Sequence, residues 1–287
     1  MWPAVTLRAF TRNFREFHMG GLGFSIAGLL VGTAVGATGV GGGSLMTPIL
    51  ILFYGISPAI AVGTDLLYAS LSKSYGVFLH QRNKTLDWNV VAWMALGSVP
   101  ASFVTLAYIH SIGISAELDR LIKLTLSVAV ITTATFTLFQ QPLLRWVNHL
   151  RGGNGQPRDI ARRKQLVLTV LSGILVGSVV TISSVGAGVI GMMLLLWIYP
   201  RHEPISLVGS DLAHAVLITG IAGLGHAQLG TVNPSMLFWL LVGALPGIWI
   251  GSKVGFRLNG LQLKKVISVI LLIAGSMTMA KAIAAGF

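Results

Sequence analysis

Along the chain, apolar stretches of about 20 residues or more alternate with short polar connections. A spanning helix needs that length, and it fits residues 21–54, 57–80, 88–112 and 118–140, then 166–200, 204–226, 234–256 and 262–286. The pattern predicts an all-α polytopic membrane protein of about eight transmembrane helices in two groups of four. The first stretch of each group is too long for one straight span and contains a glycine-rich segment. Each is therefore expected as two half-helices joined by unwound backbone. Pro58, Pro204 and Pro234 stand where helices would start, a place where the missing N–H costs nothing. Pro48, Pro100 and Pro246 fall inside or at the ends of spans and suggest kinks.

The two groups repeat one pattern. Gly28-Leu29-Leu30-Val31-Gly32 is matched by Gly173-Ile174-Leu175-Val176-Gly177, and Gly41-Gly42-Gly43 falls opposite Gly186-Ala187-Gly188. Val62-Gly63-Thr64-Asp65-Leu66 is matched by Val208-Gly209-Ser210-Asp211-Leu212, and His80, Gly97 and Pro100 by His226, Gly243 and Pro246. An offset of 145 residues, becoming 146 after one insertion, aligns them all. The chain thus divides into a basic N-terminal segment (1–20), a first transmembrane repeat (21–140), a basic linker (141–165) and a second repeat (166–287). Duplicated halves with interrupted apolar segments at matching places point to a secondary transporter whose site lies where the breaks meet.

Composition supports the membrane class: 54% of residues are hydrophobic and 10% charged, with a mean hydropathy of +0.79. The net charge of +12 lies mostly in connections between spans, where it reads as a topology signal and a contact with anionic lipid rather than with nucleic acid. No cysteine is present, so disulfides and thiolate chemistry are excluded; no other metal site or cofactor motif is evident. No ATP-binding loop occurs, and the first apolar run lacks a small-residue cleavage site expected of a signal peptide. With straight spans and the N-terminus inside, twelve Lys and Arg fall inside and seven outside, which favours both termini in the cytoplasm and halves that run parallel. Lys253, Arg257, Lys264 and Lys265 then fall on the wrong side. Re-entrant hairpins at the breaks would instead give inverted halves.

The candidate chemistry gathers at the breaks. Gly41, Gly42, Gly43, Ser44 and Thr47 in the first copy, and Thr181, Ser183, Ser184, Gly186 and Gly188 in the second, combine unwound backbone with hydroxyl donors. A half-helix beginning there aims unpaired N–H groups at the gap and attracts anions. Close helix packing through small residues is the alternative role. Lys73 is the one charged residue near the middle of a span, and its equivalent in the second half is Thr219. It would attract an anion or pair with Asp65; snorkelling is the plainer role. Asp65 and Asp211 are equivalent positions fit for proton coupling or for capping a half-helix, with capping favoured for Asp211 and an ionised partner of Lys73 for Asp65. His214 follows Asp211 by one turn, while His80 and His226 close their helices, a place more typical of caps than of ligands.

The run Gly32–Gly43, the stretch Val62 to Lys73 and the following His80 and Thr85-Leu86-Asp87-Trp88 resemble the TauE/SafE sulfite exporter family of bacterial membrane proteins, from about Gly21 to the C-terminus. The resemblance implies a duplicated membrane fold in the bacterial inner membrane and export of sulfite or a small organosulfur oxyanion. The expected protein is a transporter and not an enzyme. An anion channel or signalling scaffold is a second class, and an intramembrane hydrolase using Ser44 with His80 or His226 as base a third, weakened by the duplication it leaves unexplained. A homodimer is left open.

Overall fold

A computed structural model describes residues 5–38, 43–151, 161–255 and 260–284. Among the described residues there are ten helices and no strand: α1 (Val5–Thr38), α2 (Gly43–Leu52), α3 (Pro58–Arg82), α4 (Trp88–Ile112), α5 (Ala116–Arg151), α6 (Arg162–Ser183), α7 (Val189–Ile198), α8 (Pro204–Gln228), α9 (Pro234–Gly255) and α10 (Gly260–Ala284). Six of these are long and apolar enough to cross a membrane: α4, α5 over Ala116–Phe139, α6, α8, α9 over Pro234–Lys253 and α10 over Lys264–Ala284. The stretch Gly21–Ala37 of α1 and the helix α7 are shorter apolar helices. Thr64, Asp65, Ser70, Ser72, Lys73 and Ser74 lower the hydropathy of the long helix α3.

The two broken segments turn back instead of running straight through. Tyr54, just past the end of α2, donates from its hydroxyl to Gly23 O near the start of the apolar part of α1, at 2.6 Å, and its ring lies 5.1 Å from that of Phe24. Tyr199, at the end of α7, bonds Thr169 near the start of α6 at 2.9 Å, and Gln165 Nε2 donates to Ile198 O at 3.0 Å. Each pair, α1–α2 and α6–α7, is therefore a helical hairpin. The breaks, with Gly186 and Gly188 at φ of 114° and 117°, give the chain room to reverse.

This reversal changes the direction of everything downstream. Along α3 and α8, Gly63 meets Thr231, Leu67 meets Gly223, Ser70 donates to Val216 O at 3.2 Å, Gly76 meets Leu212 and His80 meets Gly209. Ascending numbers on one helix meet descending numbers on the other, so α3 and α8 are antiparallel. The parallel arrangement favoured by straight spans would have made them run together, and it does not hold. In contrast α1 and α9 run parallel, with Gly28 against Leu240 and Ala244, Gly32 against Ala244, and Gly36 against Ile248 and Ser252. The same holds for α4 and α6, where Gly97 meets Val170 and Ile174, and Gly173 and Gly177 meet Met94 and Ser98. If face I is the side on which α3 begins, then α1, α5 and α9 also begin there, while α4, α6, α8 and α10 begin at face II.

Two matching clasps hold the ends of α3 and α8. His80 Nδ1 lies 2.7 Å from Thr85 Oγ1, and His226 Nδ1 lies 2.8 Å from Thr231 Oγ1. Gly209 of α8 packs on the first clasp and Gly63 of α3 on the second. One residue further, Ser210 Oγ accepts from Asp87 N–H at 2.9 Å and Thr64 Oγ1 accepts from Asn233 N–H at 3.0 Å. Asp87 also caps α4 by accepting from Asn89 N–H at 2.9 Å. At the centre, Val62 and Leu66 of α3, Val176 and Val180 of α6, and Ile218 and Ala222 of α8 form one buried cluster.

Lipid offers no hydrophobic drive for helix association, so close backbone contact through glycine supplies it. A Cβ at Gly97 would run into the carbonyl oxygen of Val170, a backbone atom that cannot swing aside. Gly97→Val should therefore abolish the monodisperse detergent-solubilised species. Gly113→Ala, at φ 69° and ψ −176° with open space around it, should cost only the backbone strain of a conformation that favours glycine, about 1–3 kcal/mol. Size-exclusion profiles and thermal melts of the two variants test the contrast.

Candidate functional site

The middle of the fold collects what the sequence set apart on separate helices. Lys73 on α3 is 6% exposed and donates from Nζ to the Ala187 carbonyl, at the tip of the second hairpin, at 3.2 Å. Its charge is felt by both Asp65 and Asp211. Asp65 is fully buried; Thr47 in the first hairpin donates its hydroxyl to Asp65 Oδ2, and Ser184 of the second hairpin lies beside the same carboxylate. One carboxylate thus touches both hairpins. Asp211 on α8 lies against Gly191, where Oδ1 fills the place a side chain would take. Gly191 is in the first turn of α7, as Thr47 is near the start of α2.

Four polar atoms around this junction are buried without a hydrogen-bond partner among the described residues: Asp65 Oδ1, Ser184 Oγ, Asp211 Oδ1 and His214 Nδ1. Unsatisfied groups in a low-dielectric interior are costly and mark a place built to hold something else. Ser184 caps α6 in the left-handed conformation, φ 59°, with its N–H donated to Val180 O at 2.7 Å.

The remaining sequence candidates separate. Ser183 is occupied locally, donating to Val179 O at 2.7 Å and accepting from Val185 N–H at 3.3 Å. His80 and His226 sit in the clasps at opposite ends of the α3–α8 pair, and His226 Nε2 also bonds the Thr181 carbonyl at 2.9 Å. With both ring nitrogens engaged, His226 is not placed as a general base. Gly41 and Gly42 lie outside the described residues, as do the surroundings of Gly43 and Ser44, which open α2. Among the described residues no three His, Asp or Glu side chains gather as a metal would need.

Sequence reading passed over a buried polar seam along the second hairpin. Ser98 Oγ lies 2.8 Å from His214 Nε2, and Ser102 Oγ lies 2.8 Å from Thr181 Oγ1. The available signal was two serines one turn apart around Pro100 in an otherwise apolar helix. The equivalent positions along the first hairpin are Ala244 for Ser98, Ile248 for Ser102, Gly36 for Thr181 and Tyr68 for His214, so that the seam there loses its serine and threonine hydroxyls. A cavity of about 590 Å³ opens at the foot of this hairpin on face II, lined by Asp87, Trp93, Arg162, Gln165, Tyr199 and His202.

A family model described as Sulfite exporter TauE/SafE matches residues 24–278. The probable membrane transporter protein YjnA of Bacillus subtilis (strain 168) is 34% identical over 251 residues, covering 87% of this chain and 96% of that one. YunE of the same organism, also a probable membrane transporter protein, is 24% identical over 86% of this chain and 91% of its own length. A probable membrane transporter protein of Xylella fastidiosa (strain Temecula1 / ATCC 700964) is 27% identical over 81% of this chain and 84% of its own. No solved structure gives a significant match. With apolar helices fit to cross a bilayer several times and a family match over most of its length, the chain is a multi-pass membrane transporter and belongs to the TauE/SafE sulfite exporter family.

Proposed function

We propose that the protein exports a small oxyanion, sulfite or a related organosulfur anion, from the cytoplasm, binding it beside Lys73, where the second hairpin tip meets α3 and Thr47 of the first hairpin meets Asp65. The observation that carries this reading is the buried Lys73 ammonium, which gives one N–H to Ala187 O and keeps further donors for a ligand. A cation held in a low-dielectric site attracts an anion strongly. The Ser184 hydroxyl and the unwound backbone at 184–188 add neutral donors. Gly41, Gly42, Gly43, Ser44 and Thr47 are assigned to the same site from the first hairpin, opposite Gly186 and Gly188.

We read the two halves as inverted copies of one unit. The reciprocal clasps, the reciprocal Thr64–Asn233 and Asp87–Ser210 bonds and the antiparallel α3–α8 pair support it. Each hairpin then enters from its own face, the first from face I and the second from face II. Alternating access follows when one hairpin loosens while the other stays closed on the ligand.

The two carboxylates give the site a link to protons. With Asp65, Asp211 and Lys73 all ionised, the junction carries one net negative charge and repels an anion. Anion binding and protonation of one carboxylate therefore favour each other. Asp211 is assigned the proton: each carboxylate has an unpartnered Oδ1, but Asp65 also accepts the Thr47 hydroxyl at Oδ2, which favours its ionised form, and no such donor is seen on Asp211 among the described residues. This reverses the capping role that symmetry suggested for Asp211.

Counterflow of labelled sulfite in proteoliposomes tests both assignments. Lys73→Met should weaken apparent affinity by about tenfold to a hundredfold, the worth of a hydrogen bond to a charged group, and Lys73→Arg should retain much of it. Unaltered counterflow by Lys73→Met would remove the lysine from the site. Asp211→Asn should keep counterflow but lose its dependence on an imposed pH gradient, whereas Asp65→Asn should lower the melting temperature by giving Thr47 a neutral amide oxygen in place of a carboxylate, a weaker acceptor. A pH response that survives in Asp211→Asn would move the proton elsewhere.

A further inference from the structure

The directions of the helices assign each basic residue to a face. Face II holds the end of α3 with Arg82 and Lys84, the extension of α5 with Arg145 and Arg151, the start of α6 with Arg162, Arg163 and Lys164, Arg201 before α8, Lys253 at the end of α9, and Lys264 and Lys265 at the start of α10. Face I holds Arg8, Arg12 and Arg15 on the extension of α1, Arg120 and Lys123 at the start of α5, and Lys281 at the end of α10. Among the described residues the balance is eleven to six, with Lys73 between the faces. Lys253, Lys264 and Lys265, which fell on the wrong side for straight spans, now join the linker residues on one face.

We infer that face II is the surface seated against the anionic phospholipid headgroups of the cytoplasmic leaflet, so that the N-terminal end of α1 and the C-terminal end of α10 both lie on the opposite side of the membrane. Lys and Arg are retained in the cytoplasm, and each near a surface of anionic lipid contributes about 1 kcal/mol. Arg8, Arg12 and Arg15 pull the other way but are outnumbered. The second hairpin, with Ser184, Gly186 and the Ala187 carbonyl, then enters from the cytoplasm, and the first from outside. The acidic residues do not alter the assignment, since they weigh little in retention.

The absence of cysteine makes the test direct. Single cysteines at Asn83 and Ser252 mark face II, and at Ser111 and Gln228 mark face I; all four are exposed. In bacterial spheroplasts, a membrane-impermeant maleimide should label positions 111 and 228 in intact cells and positions 83 and 252 only after lysis. The opposite pattern, or labelling of all four in intact cells, overturns the assignment. Positions 228 and 252 also separate it from the straight-span topology, which exchanges exactly these two. Replacing Lys253, Lys264 and Lys265 together by Gln in the Asn83→Cys background tests the cause. A labelled fraction appearing at position 83 before lysis supports retention by charge, and unchanged labelling overturns the lipid surface as the partner. Neither outcome depends on which anion is carried, because no transport is measured.

Discussion

Backbone that leaves its helix inside a bilayer has no water to turn to, and the centre of this fold is arranged around the break between α6 and α7 and the hairpin that faces it. Groups from α3 and α8 supply what is missing. Lys73 reaches the Ala187 carbonyl, Asp65 takes the Thr47 hydroxyl, and His226 takes the Thr181 carbonyl at the foot of the second break. These residues are expensive to bury, and their cost is offset only when each meets the partner for which it was placed. The same contacts explain why α3 is polar yet central: one face of it is covered by the helices it serves, with Thr64, Asp65 and Tyr68 all at most 1% exposed, while Leu71, Tyr75 and Phe78 are exposed on its outer side.

The packing between helices uses a different device. Gly28, Gly32 and Gly36 on α1 and Gly243, Gly247 and Gly251 on α9 let two backbones meet along the apolar part of α1 and most of α9. Gly97, Gly173 and Gly177 do the same for α4 and α6. Each hairpin is thereby fixed along one straight helix of the other half, leaving its short returning helix to face the centre. Across the first of these interfaces Ser25 Oγ donates to the Trp239 carbonyl at 3.0 Å, and across the second Ser102 bonds Thr181, with Ser98 beside it bonding His214 of α8.

The all-helical membrane class was legible because hydropathy over about 20 residues depends only on composition. The paired positions of Asp65 and Asp211, and the isolation of Lys73, were legible for the same reason: charges stand out against an apolar background. Direction was not, since a hydropathy profile is the same for a helix that crosses and for one that returns. The residues that report the reversal, Tyr54 and Tyr199, are ordinary interfacial tyrosines until their hydroxyls are seen on Gly23 and Thr169. The Ala187 carbonyl could not be anticipated at all, because a backbone acceptor has no residue type. The excess length of the first stretch in each group, and basic residues such as Lys253, Lys264 and Lys265 that fell on the wrong side, were the signs in the sequence against straight spans.

The two His–Thr clasps have a mechanical consequence. Each belongs to one long helix and bears on a glycine near the start of the other, one at each membrane face. Because the two helices are antiparallel, sliding one along the other would strain both clasps together, and in the same sense. The pair is therefore held in register at both ends, with the Ser70 bond to the Val216 carbonyl near its midpoint, and of the rigid motions open to two such helices sliding is the one these contacts oppose most directly.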